Sequence, residues 1–222
     1  MKRFRKILAA VIFFSFGAAF PVYAAETNDS LLKALGFPSR AESIASKNLQ
    51  TALAQESKDQ AQYLAFADKA DEEGQPENGK VFRALARAKQ SLLDYMGKSL
   101  KTVRDNPEVA TEAPIVKNTA ENLKSAMDSE LYKSTEMYPG FLAQNPSDIP
   151  KEVADVFKLA QRIDASHAGL LQEILATDPA KIPVSAYNIC TACGYVFLEW
   201  AEVDTCPICG ASKEKLKNIV KE

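Results

Sequence analysis

The cysteines limit this chain more than any other feature. All four lie within twenty residues near the C-terminus, as Cys190-Thr-Ala-Cys193-Gly194 and Cys206-Pro-Ile-Cys209-Gly210, with twelve residues between the pairs. Two Cys-x-x-Cys turns facing each other bring four thiolates to the corners of a tetrahedron, which suits zinc or a single iron. Gly194 and Gly210 stand where a positive φ turns backbone N–H groups toward sulfur. Two disulfides are the competing reading, because the chain reads as exported and an even cysteine count then suggests bridges. The paired spacing, the glycines and Pro207 favour metal, since a bridge inside Cys-x-x-Cys closes too short a loop to staple a fold.

Export is read from the other end. Met1 to Lys6 is basic, Ile7 to Phe20 is apolar, and Pro21-Val-Tyr-Ala24 supplies the small residues a signal peptidase reads. The expectation is a Sec-type signal peptide over 1–24, cleaved after Ala24, and a periplasmic or otherwise exported protein. The apolar run is shorter than the roughly 20 residues of a membrane span. Twin arginines are absent, and no cysteine follows the run for lipid attachment. Removing 1–24 takes four basic residues and no acid, so the formal charge moves from −2 to −6. Nucleic acid and anionic membrane are therefore poor partners for the mature chain.

From Ser39 to Thr177 the pattern is helical. Ser39-Arg-Ala-Glu42 is a capping box that opens a first helix, ended near Glu73 by Gly74 and Pro76. A second covers roughly 77–103. An ordered connection with Pro107 and Pro114 follows, and Asn118 caps a third helix that runs to about Gln144. Asp148, with Pro150 in the first turn, opens a fourth that ends near Pro179. Four such helices, each with one apolar stripe, predict an all-α four-helix bundle over 39–178. A linker at 179–186 and a small cysteine-bearing β module at 187–222 complete the chain. Short strands are expected at Tyr187–Ile189 and Tyr195–Leu198, with Tyr187, Tyr195, Phe197 and Trp200 around the metal. Residues 211–222 read as a solvated helix.

The stripes themselves are informative. They read Leu49, Leu53, Glu56, Gln60, Tyr63; then Phe82, Leu85, Lys89, Leu92, Met96. The third is Leu123, Met127, Glu130, Lys133 or Ser134, Met137; the fourth is Val153, Phe157, Ala160, Asp164, His167, Leu171, Ile174. Charge interrupts the inward face of every helix near its middle. Buried charges are rare unless paired or bound to metal, because desolvation costs several kcal/mol each. Asp164 and His167, the only histidine, are three residues apart on one face, a spacing that lets carboxylate and imidazole share an ion.

These residues resemble the rubrerythrin family, a ferritin-like bundle followed by a rubredoxin-like module. The matching stretches are Asn48 to Ser57 with Tyr63, Phe82 to Ala86, Thr119 to Ala126, and Glu130 through Tyr132 to Met137-Tyr-Pro139 and Phe141. Phe157, Asp164-Ala-Ser-His167-Ala168 and the cysteine module complete the match. The resemblance implies a carboxylate-bridged di-iron site in the bundle that reduces hydrogen peroxide. It also implies a rubredoxin-type iron on Cys190, Cys193, Cys206 and Cys209, and a homodimer paired head to tail.

The chain departs from that pattern in the bundle. Lys89 and Leu92 stand where the family has Glu-x-x-His, Lys133 stands where it has a second glutamate, and a glutamate is shortened to Asp164. Glu56, Glu130, Asp164 and His167 remain, with Tyr63 and Tyr138 where the family keeps tyrosines. A di-iron pair needs several carboxylates and ligands from all four helices. Here each lysine supplies the charge an iron would have supplied. The expectation is a bundle held by Lys89 and Lys133 paired to Glu56, Glu130 and Asp164, without a di-iron centre. One metal on Glu56, Glu130, Asp164 and His167 is the alternative. For function, an FeS4 electron carrier linked to peroxide or oxygen defence stands against a scaffold with a structural zinc.

Overall fold

Helix α1, Arg40–Glu72, and helix α2, Pro76–Leu100, form an antiparallel hairpin in the computed structural model. The structure describes residues 40–100, 113–144, 149–177, 187–198 and 203–218. The expected signal segment 1–24, the linker 179–186, Asp148 and Trp200 lie outside the described residues. Among the described residues no helix is long and apolar enough to cross a membrane.

The third helical rod is α3, Thr119–Tyr132, a π turn at Lys133–Met137, and α4, Tyr138–Ala143. Asn118 Oδ1 accepts the Glu121 N–H at 2.9 Å, as the capping box requires, and the Glu73 carboxylate accepts the Thr119 N–H at 2.9 Å. Acceptors at a helix N-terminus satisfy donors the helix itself leaves unpaired. The π turn was not legible in the sequence; it leaves the Ser134 carbonyl to accept from Gln161 Nε2 at 3.0 Å. Lys133 and Ser134 are both buried, where the stripe allowed only one of them. Helix α5, Lys151–Ala176, packs on α3 and closes the bundle. It begins just after Pro150, which serves as its N-cap residue rather than lying in its first turn. A proline carbonyl can accept from the first helical turn, and the Val153 and Ala154 N–H groups both bond it at 3.0 Å.

Three antiparallel strands follow in the order β2-β1-β3: β1, Tyr187–Cys190; β2, Val196–Leu198; and β3, Leu216–Asn218. Tyr187 pairs with Leu198, and Cys190 with Leu216. The expectation of a solvated helix over 211–222 is corrected here. Lys213–Lys215 is a single 3-10 turn, and the next three residues are a strand. β1 is the central strand, and the edge that β2 does not cover needs partners: just past its end, Thr191 donates from its N–H and hydroxyl to the Lys215 carbonyl at 2.8 and 3.1 Å. That demand outweighs the weak helical preference of Lys-Glu-Lys.

The sheet lies on the bundle, with β1 and β2 both against α2. Tyr187, Ile189 and Val196 share one apolar cluster with Phe82, Leu85 and Ala88. Gly194 sits so close to α2 that a Cβ there would collide with the Ala88 carbonyl oxygen.

Candidate functional site

The two cysteine turns are built alike. In the first, the Cys193 and Gly194 N–H groups bond the Cys190 carbonyl at 3.3 and 2.8 Å; in the second, the Gly210 N–H bonds the Cys206 carbonyl at 2.8 Å. Gly194 and Gly210 have φ of 91° and 73°, as expected from the sequence. Backbone N–H groups of Ala192 and Cys193 reach the Cys190 sulfur, Tyr195 reaches Cys193, and Ala211 reaches Cys209.

All four cysteines are free thiols. Sγ of Cys190 is 3.7 Å from that of Cys209, and Sγ of Cys193 is 3.8 Å from that of Cys206. A tetrahedral metal with bonds of about 2.3 Å to sulfur has sulfur–sulfur edges of about 3.8 Å. The cluster thus fits a rubredoxin-like site for iron or zinc, and the sulfurs stand too far apart for disulfides. Tyr187 and Phe197 are buried, and the rings of Tyr195 and Phe197 stack at 5.5 Å.

The second site is in the middle of the bundle. Lys89, from α2, is fully buried, and its Nζ lies 2.8 Å from Glu56 Oε2, 2.8 Å from Glu130 Oε2 and 2.7 Å from Asp164 Oδ1. Three carboxylates use the three protons of one ammonium. Lys133 Nζ lies 3.1 Å from the same Glu56 and Glu130 oxygens, 2.6 Å from Asp59 Oδ2 and 3.5 Å from Asp164 Oδ2. One oxygen each of Glu56 and Glu130 is therefore shared by both ammonium groups. The other oxygen of each takes a tyrosine: Tyr138 donates to Glu56 Oε1 at 2.7 Å and Tyr63 to Glu130 Oε1 at 2.8 Å.

Asp59 is the residue that sequence reasoning missed. Gln60, placed inward from the sequence, is half-exposed instead, and Asp59 is buried, accepting from Ser129 Oγ at 3.0 Å. The available signal was its place three residues after Glu56 and four before Tyr63, on one helix face.

The electrostatics follow from burial against pairing. Burial alone would raise the Glu56 carboxyl, but Lys133 and then Lys89 outweigh it and hold it at about 2. Burial also works against Glu130, and Lys133, Lys89 and His167 hold that carboxyl well below the usual range. Asp164 goes the other way: burial and the Glu56 charge outweigh both lysines and raise its carboxyl well above the ordinary value. Burial would lower both lysines, yet the surrounding carboxylates raise them. Four carboxyls face two ammonium groups, and the excess of negative charge makes Asp164 easier to protonate than Glu56 or Glu130. Burial and the adjoining carboxylates likewise raise Tyr63 and Tyr138, which therefore donate.

His167 is buried on α5. Its Nε2 is 2.9 Å from the Gly194 carbonyl oxygen, and its Nδ1 is 3.6 Å from Glu130 Oε1. Among the described residues, Nδ1 and Asp164 Oδ2 have no hydrogen-bond partner. Ligand atoms of Glu130, Asp164 and His167 come within 4.8 Å of one another; Glu56, expected with them, is not in that group.

Comparison with known proteins places this geometry. The family model described as "Rubrerythrin" matches residues 47–176, and that described as "Rubrerythrin, rubredoxin-like domain" matches 189–217. Rubrerythrin-2 of Clostridium acetobutylicum is 29% identical, covering 76% of this chain and 93% of that protein. Nigerythrin of Nitratidesulfovibrio vulgaris is also 29% identical, over 76% and 83%. The solved structure of nigerythrin in a mixed-valence state superposes with a TM-score of 0.72 at 25% identity, covering 78% of this chain and 86% of that one.

Proposed function

Because the chain belongs to the rubrerythrin family, we propose that it is an exported electron carrier. Its reducible centre is one iron on Cys190, Cys193, Cys206 and Cys209, and lysine ammonium groups replace the metal pair of the bundle. The observation that carries this reading is the position of Lys89 Nζ, within 2.8 Å of carboxylates from α1, α3 and α5 at once. Those carboxylates are ordinarily the ligands of the family's irons. With Lys133 on the same oxygens and Leu92 apolar, the pocket as arranged does not fit two metal ions. An iron on four thiolates supplies one-electron exchange. The protein holds those thiolates with backbone N–H groups and shields them with aromatic rings. A solved nigerythrin structure is described as fully reduced and all ferrous, which favours iron over zinc.

Without a bundle metal pair, peroxide reduction passes to a partner, and the chain contributes to peroxide or oxygen defence by relaying electrons. The periplasmic location rests on residues 1–24 and the acidic mature chain. Association into a homodimer is supported by the exposed apolar side chains Ile115, Leu131 and Tyr132 on and beside α3.

Colour tests the proposal. Whole protein purified from the periplasm should be red and bleach with dithionite. Colourless protein with one zinc per chain would favour the second reading, a binding scaffold with a structural metal. That reading is favoured by three of the four cysteines sharing an apolar cluster with Leu49, Leu92 and Ile163 of the bundle.

A further inference from the structure

A line of polar contacts runs from the buried ion network to the sulfur of Cys193. The His167 ring lies between Glu130 Oε1, 3.6 Å from its Nδ1, and the Gly194 carbonyl oxygen, 2.9 Å from its Nε2. A carbonyl oxygen only accepts, so the proton of the second contact is on Nε2. The Gly194 carbonyl and the Tyr195 N–H are two ends of one peptide group, and that N–H bonds the Cys193 sulfur. A donor on the carbonyl end of a peptide polarises it and strengthens the bond its N–H makes.

We propose that His167 is a positioning residue for the four-cysteine centre. By donating to the Gly194 carbonyl it strengthens the Tyr195 N–H bond to the Cys193 thiolate, and so stabilises the charge a bound iron gains on reduction. Reduction takes one electron from an external donor, breaks no bond, and adds one negative charge to the metal–thiolate unit. A stronger N–H dipole aimed at sulfur favours that more negative state. The bond is buried at both ends, so water neither competes with it nor screens it. Arg162, on the same helix, reaches the Ile208 and Pro207 carbonyls at 3.0 and 3.3 Å, but those contacts are exposed. The helix that carries Asp164 and His167 thus also sets the electronics of the metal module.

The proposal rests on the four-cysteine centre but not on which metal fills it, and its test separates the two. In iron-loaded protein, His167→Phe should shift the midpoint potential to more negative values. In zinc-loaded protein, the same variant should move the Tyr195 amide proton upfield. His167→Gln, which keeps an N–H donor, should restore both, and Arg162→Gln should change neither appreciably. Should His167→Phe fail to fold, His167→Asn reads the same bond, because its side chain is too short to reach Gly194. A folded Phe or Asn variant with wild-type potential and a wild-type Tyr195 resonance overturns the proposal. So does a Gln variant that shifts as far as Phe.

Discussion

Lys89 Nζ lies 2.7 Å from Asp164 Oδ1 across the bundle, with both side chains fully buried. This contact joins α2 to α5 in the middle of the bundle. Such a pair costs desolvation and gives little net stability, but removing one partner strands the other. Lys89→Met should therefore lower unfolding stability by roughly 3–5 kcal/mol, read by urea denaturation. A loss below about 1 kcal/mol, the scale of an ordinary surface substitution, would contradict the pairing.

Two of the three acids around Lys89 should respond differently to neutralisation. Burial and the Glu56 charge raise the Asp164 carboxyl, so Asp164→Asn should cost less at neutral pH than loss of a carboxylate that both lysines hold down. Glu56 is held as a carboxylate by Lys133 and Lys89, so Glu56→Gln should cost roughly 3 kcal/mol. Equal losses in the two variants would refute this difference between the two acids.

The pH dependence has a definite sign. Glu56 titrates near 4.5 in an unfolded chain and at about 2 in the fold, so its contribution is full above 4.5 and is lost as pH falls toward 2. Glu130, also depressed, acts in the same direction. Asp164, raised, acts oppositely: its cost appears only as pH rises above 3.8. Both lysines are raised, so their contribution persists at least to pH 10.5. Melting temperature followed against pH should fall steeply below 4.5, with a shallower fall in Glu56→Gln.

The proposed replacement of bundle metal by lysine predicts the effect of reversing it. Lys89→Glu, Leu92→His and Lys133→Glu together return the residues that the family carries at these positions. The triple variant should bind iron in the bundle beyond that held by the cysteines, measured as iron per chain. No gain in bound iron would count against lysine-for-iron replacement.

Much of this was legible beforehand, for local reasons. Cys-x-x-Cys with a following glycine fixes its own turn, and period-3.6 stripes interrupted by Lys89, Lys133 and Asp164 identify a charged core. What the sequence hid depends on distant partners. Asp59 looks like one more surface acid until Lys133 and Ser129 are brought to it. The π turn depends on Gln161 from another helix, and β3 on an edge of β1 some 26 residues earlier. The contact of His167 with Gly194 exists only because the module docks on α2, and a stripe on α5 carries no sign of that.

Mössbauer spectroscopy of the iron-57-loaded whole chain, which sorts iron by its ligands, tests the central claim most directly. The expected spectrum is one high-spin iron on four sulfurs, ferric as isolated and ferrous after dithionite, with no other component. A second, spin-coupled pair of irons on oxygen and nitrogen would contradict it.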